Sequence, residues 1–110
     1  MTLDQQARGD ITILRPVGRL DSASSPELEL AILERIEGGC KRIVFDLADM
    51  DYVSSAGLRV ILLAGKKLRA SQGTLVIAGM RDMVRDVFEM SGFLSLFAVA
   101  PDVDEAITRL

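Results

Sequence analysis

The chain predicts an α/β fold on a mainly parallel sheet with one antiparallel strand at its start. Short apolar runs, DITI, KRIVFDL and TLVIAG, alternate with longer amphipathic stretches, as strands and crossover helices do. Gly38-Gly39, Gly73 and Gly92 punctuate the ends of these units. The opening TLDQQAR reads as a short strand paired to DITI across Gly9-Asp10, although Asp-Gly is the commoner hairpin order.

Taken in order, LRPVGRLD after DITI continues a strand with a turn at its end, Ile11, Ile13 and Val17 marking one side. Pro16 cannot donate to a ladder, which predicts an edge position or a bulge. SPELELAILERI predicts a helix with Ser25 as N-cap, Pro26 at the first position and Glu27 and Glu29 in the first turn. Its apolar stripe is Leu28, Ala31, Ile32 and Ile36. Ile43, Val44, Phe45 and Leu47 form a strand covered on both faces. ADMDYV is expected to be a loop. A second helix is expected over residues 56–70, with Leu58, Ile61, Leu62, Gly65 and Leu68 on one face. Lys66, Lys67 and Arg69 load its last turns, where positive charge suits the helix dipole. TLVIAG is a buried strand. RDMVRDVFEMSG is a helix with Met83, Val84, Val87 and Phe88 as its apolar positions; Met80, Met83 and Met90 could be adaptable contact residues, yet most are assigned to the core. FLSLFAVAP holds a short last strand. DVDEAITRL closes the chain as a helix capped by Asp102, with Val103, Ala106, Ile107 and Leu110 facing inward.

Composition narrows the function. The 110 residues suit one domain, 1–110. With 13 basic against 16 acidic residues and a net charge of −3, the chain lacks the basic surplus of a nucleic-acid binder. No uncharged apolar run reaches membrane-spanning length, and MTLDQQARGD does not resemble a secretory signal. Cys40 has no partner for an internal disulfide, so a cytoplasmic setting is expected. The absence of histidine removes the usual general base and the commonest zinc ligand, and no metal or cofactor is expected. There is no P-loop and no Gly-x-Gly-x-x-Gly.

VSSAGLRVILL is the most informative stretch. Ser54 and Ser55 fall between a strand and a helix, where parallel α/β units place their functional loops. One reading is local: one serine caps the helix and the other is a loop residue. Catalysis is disfavoured, because a serine nucleophile needs a base and Asp49 and Asp51 are weak ones. A switch is the third reading. A phosphate adds about −1.5 to −2 charge, and free N–H groups at a helix start can accommodate it. The small Ala56 and Gly57 would keep the approach low, or would simply pack tightly against a strand.

DYVSSAGLRVILLAGKKL resembles the signature of the STAS domain, and specifically of the bacterial anti-sigma factor antagonists. The resemblance extends to VGRLDSASSPEL, with Gly18, Leu20 and Asp21 on the family's G-x-L-D pattern, and to GTLVIAG and VFEMSGF. It implies a STAS-type fold: a mixed four- to five-stranded sheet with helices packed mainly on one face. It implies a non-enzymatic protein that binds an anti-sigma factor with serine kinase activity, releases a sigma factor, and is disabled by phosphorylation and restored by a serine phosphatase. The modified residue would be Ser55, with Ser54 second; the family's commoner motif has Asp where Ser54 stands. A monomer or weak homodimer is implied, with no nucleic-acid or membrane partner. The alternative is a constitutive STAS-type binding subunit of a transport or signalling scaffold complex.

The expected docking surface comprises Asp21, Ser22, Ser24, Asp49, Asp51, Ser54, Ser55, Ala56, Gly57 and Arg59. Each has a plainer reading. Asp21, Ser22 and Ser24 could be a turn and helix cap, Asp49 and Asp51 could end a strand in solvent, and Arg59 could be a solubilising residue.

Overall fold

The chain begins with a hairpin that Gly9 makes possible. The computed structural model describes residues 1–110. Strand β1 (Thr2–Arg8) pairs antiparallel with β2 (Ile11–Leu20), Arg8 opposite Ile11. Gly9 takes φ 62°, so the Gly-Asp order serves a two-residue loop whose first position has positive φ.

After the hairpin come α1 (Ser25–Glu37), β3 (Arg42–Asp46), β4 (Met50–Val53), α2 (Ser55–Ala70) and β5 (Thr74–Ala78). Helix α3 (Asp82–Met90), a 3-10 turn (Leu94–Leu96), β6 (Ala98–Ala100) and α4 (Val103–Thr108) complete the chain. The sheet runs β1-β2-β3-β5-β6, and every pairing after the first is parallel. This is the expected mixed sheet, with β4 as a sixth strand beside the end of β2.

The stretch expected to be a loop, ADMDYV, contains β4. Strand β2 covers the stretch read as one strand, DITI continued through LRPVGRL. Its first part, Ile11–Leu14, lies beside β3, and its last part, Gly18–Leu20, lies beside β4, with a register shift between Gly18 and Arg19. The Gly18 N–H donates to Asp49 O at 2.9 Å, so the chain crosses from β3 to β4 while staying against β2. Pro16 is explained by the same handover. It is neither on an edge strand nor in the bulge: β3 has ended at Leu14 and β4 has not begun. Opposite Leu3 it lies an odd number of residues from the hairpin's closing pair, so it occupies a non-hydrogen-bonded site of the β1–β2 ladder. Its missing N–H therefore faces the gap.

Alternation along the central strands fills two faces. Leu14, Ile43, Phe45, Leu75 and Ile77 meet α1, α2 and α3 through Leu28, Ile32, Leu58, Ile61, Leu68, Val84 and Phe88. Phe88 and Phe97 meet edge to face, with centroids 6.1 Å apart. On the other face Ile11, Ile13, Val44, Val76 and Ala78 meet Ala106 of α4, with Val103 and Ile107 at the margin. Three helices thus cover one face and a short one part of the other. No helix is long and apolar enough to cross a membrane.

Three local expectations are corrected. Ser25 is the first helical residue of α1, buried, and its hydroxyl donates to Asp21 O; Ser24 takes the N-cap position. Helix α2 begins at Ser55, one residue earlier than read. Met83 and Met90 are 68% and 88% exposed, because they fall on the outer side of α3, whereas Met80 packs against the core.

Candidate functional site

The β2–β4 pairing builds the site. Leu20 stands opposite Val53, and Ser54 N–H donates to Leu20 O at 2.9 Å. Asp21, following one strand, and Ser54, following the other, therefore leave the sheet side by side. Helices α1 and α2 start from this corner, so both helix N-termini border one surface. This sits at the carboxyl ends of parallel strands, where the sequence pattern placed it.

The two serines divide their work. Ser54 has extended backbone (φ −90°, ψ 173°), and its Oγ accepts from Gly57 N–H at 3.2 Å, the ordinary N-cap bond. It is half-buried. Ser55 is the first residue of the helix, is exposed, and takes no part in the cap. Helix α2 has no acidic residue in its first turn, so nothing on the helix itself offsets the partial positive charge there. Arg59, four residues after Ser55, is exposed on the next turn.

Gly57 is buried, and a Cβ there would lie 2.8 Å from Leu20 Cγ and 3.0 Å from Leu20 O. It is a packing residue beneath the surface, which lets the first turn of α2 rest on the end of β2. Ala56 is half-buried beside it.

Asp21 organises the neighbouring turn. Its Oδ1 accepts from Ala23 N–H at 3.0 Å and Ser24 N–H at 3.1 Å. Ser24 Oγ accepts from Asp21 N–H at 3.0 Å and donates to Arg19 O at 2.9 Å. Hydrogen bonding from the Ser24 backbone, with help from Ala23, holds the Asp21 carboxyl below its ordinary pKa. Asp21 and Ser24 thus form the turn that leads into α1, as the plainer reading had it, and Ser22 and Ala23 are its exposed residues.

Asp49 and Asp51 are paired with two arginines. Arg15 Nη1 donates to Asp49 Oδ2 at 2.9 Å, and Arg81 Nη1 donates to Asp51 Oδ1 at 2.7 Å. Arg15 also bonds Asp4, which raises its already high pKa. The two aspartates tie β4 to β2 and to the start of α3. Their side-chain hydrogen bonds go to these arginines and not to Ser55.

The sequence reading missed Arg19 and Tyr52. They are opposite one another in the β2–β4 register, and the Arg19 guanidinium lies 4.2 Å from the centre of the Tyr52 ring. This stack adjoins Leu20 and Val53 and so flanks the serine corner. A lone tyrosine next to Val-Ser-Ser was the available signal, but the pairing that brings Arg19 over it depends on β4. Cys40 is half-buried, its thiol donating to Thr12 Oγ1 at 3.3 Å. No group of His, Cys, Asp and Glu side chains is arranged to hold a metal. What the corner offers chemically is an accessible hydroxyl, hydrogen-bonding groups and an aromatic–cation stack.

The STAS domain family model matches residues 2–106. Over 83 residues the chain is 49% identical to BtrV of Bordetella bronchiseptica, described as a candidate anti-sigma factor antagonist, covering 76% of this chain and 72% of that one. A candidate anti-sigma factor antagonist of Thermotoga maritima superposes with a TM-score of 0.93 at 18% identity, covering 97% of this chain and 92% of the other. The Bacillus cell fate determinant SpoIIAA in its phosphorylated form superposes with a TM-score of 0.79 at 21% identity over 98% of each chain. The chain belongs to the STAS domain family, among the anti-sigma factor antagonists.

Proposed function

We propose that this protein binds an anti-sigma factor with serine kinase activity while its serine corner is unmodified, so that a sigma factor is released. Phosphorylation of Ser55 by that kinase ends the binding, and a serine phosphatase restores it. The observation that carries this reading is the division of work between the serines. The half-buried Ser54 holds the helix, whereas Ser55 presents a hydroxyl to solvent beside it. A phosphate on Ser55 would meet the N–H-rich start of α2 and an arginine one turn on. The fold tolerates the group, and a partner surface fitted to the bare hydroxyl meets new bulk and about −1.5 to −2 charge. Ser22, Ser24, Asp21 and the Arg19–Tyr52 stack form the rest of the contact surface, and the whole chain acts as one unit.

The test is the intact mass after incubation with the cognate kinase and ATP. Wild type and Ser54→Ala are expected to gain one phosphate, and Ser55→Ala none. Phosphate retained by Ser55→Ala but lost by Ser54→Ala would transfer the switch to Ser54. No phosphate on either serine would refute it. Pull-down with Ser55→Ala and Ser55→Asp separates the constitutive alternative. Strong recovery of the kinase by Ala and weak recovery by Asp is expected, and equal recovery would identify a constitutive binding subunit.

A further inference from the structure

We propose that the free edge of β1 is a self-association surface, on which two copies pair antiparallel about Gln6 and join their sheets. Strand β1 is seven residues long, pairs only with β2, and contains no proline, lysine or bulge of the kind that blunts an edge. The direction of its backbone groups follows from the hairpin. Residues flanking a two-residue loop exchange both bonds, so Arg8, and then Gln6 and Asp4, turn theirs toward β2. Leu3, Gln5 and Ala7 turn theirs outward. Pro16 fits this alternation, since it stands opposite Leu3, where no donor toward β1 is needed.

Charge selects the register. Pairing about Gln6 sets Asp4 opposite Arg8 of the second copy, twice by symmetry, and Gln6 opposite Gln6. The outward groups of Gln5 and Ala7 then meet in hydrogen-bonded pairs. Pairing about Gln5 would instead put Asp4 opposite Gln6 and Arg8 opposite Thr2, with no charge matched. Asp4, Gln6 and Arg8 share the sheet face that carries α4 and line one open cleft there with Arg15 and Asp104. Arg8 already reaches Asp104 at 3.2 Å, and Asp4 already bonds Arg15. These side chains are 51% and 45% exposed, so each can serve a second partner, giving a chain of alternating charges across the two-fold axis. Like charges directly opposite destabilise a pair of strands as opposite charges stabilise it.

The experiment is sedimentation velocity over a concentration series on wild type, Asp4→Arg, Arg8→Asp, and an equimolar mixture of the two variants. Wild type is expected to dimerise reversibly. Each variant alone places two like pairs across the axis and is expected to associate at least about tenfold more weakly. The mixture restores two opposite pairs and is expected to regain dimer, which a merely misfolded variant could not do. A second measurement introduces Gln6→Cys with Cys40→Ser. An intermolecular disulfide is expected on mild oxidation, because residues facing each other in a non-hydrogen-bonded pair lie at bridging distance. A wild type that stays monomeric throughout, variants that dimerise like wild type, or a mixture no better than its components would each overturn the proposal.

Discussion

Replacing Gly57 with alanine sets two effects against each other. Helix propensity favours alanine by up to about 1 kcal/mol, and Gly57 does not have the positive φ that would exempt it. Packing opposes it. The new methyl would sit 2.8 Å from Leu20 Cγ, 2.9 Å from Leu20 Cδ2 and 3.0 Å from Leu20 O. Leu20 is fully buried, and its carbonyl already holds Ser54 N–H. Neither can retreat without disturbing β2 or the start of α2. Overpacking of this kind costs about 1–3 kcal/mol, and a backbone contact puts it toward the upper end. The net expectation is a loss of about 1–2 kcal/mol. In urea this lowers the unfolding midpoint by roughly 0.5–1 M at an unchanged slope. Gly65→Ala is the control, because its methyl meets the edge of the Phe97 ring at 3.2 Å rather than a backbone group. A Gly57→Ala protein as stable as wild type, or more so, would refute the packing argument and leave propensity in command.

Ser54→Ala should lower stability by about 1 kcal/mol through loss of the cap, while Ser55→Ala should change it by less than about 0.5 kcal/mol; equal losses in urea unfolding would contradict the division between them. Arg19→Ala, Tyr52→Ala and the double variant, taken as a cycle, should give a coupling of about 0.5–1 kcal/mol for the exposed stack, and strict additivity would count against it. The Asp21 carboxyl, held down by Ser24 and Ala23 N–H groups, should titrate below its ordinary 3.8 in a carboxyl-detected NMR titration. Its contribution to stability is complete above that ordinary value and disappears as pH falls through the lower native one; a midpoint at or above 3.8 would be the contrary result.

How far the sequence carries depends on where each signal is stored. Helix α2 was legible because its apolar stripe, basic last turn and serine cap all lie within the segment. The central strands were legible because Ile43–Phe45 and Leu75–Ile77 are apolar on both faces. Strand β4 was not, because only Met50 and Val53 of its four residues are buried, and the two between them are exposed. Its strand character comes from the far part of β2, a partner remote in sequence. The same dependence hid the Arg19–Tyr52 stack. The first cap failed differently: with three serines near Pro26, the choice rested on Asp21, which bonds the turn through its side chain rather than sitting at the cap. Ser54 and Ser55 were visible as a pair, and the Gly57 N–H bond together with their difference in burial separates their roles.

Placing the anchoring hydroxyl and the exposed hydroxyl on consecutive residues uncouples information from durability. On the proposed reading, a mark on the outer one would leave the inner bond in place, so marked and unmarked molecules are expected to resist proteases and chaperones alike. A cell could then hold a standing stock of both forms and change their proportion without making or destroying protein.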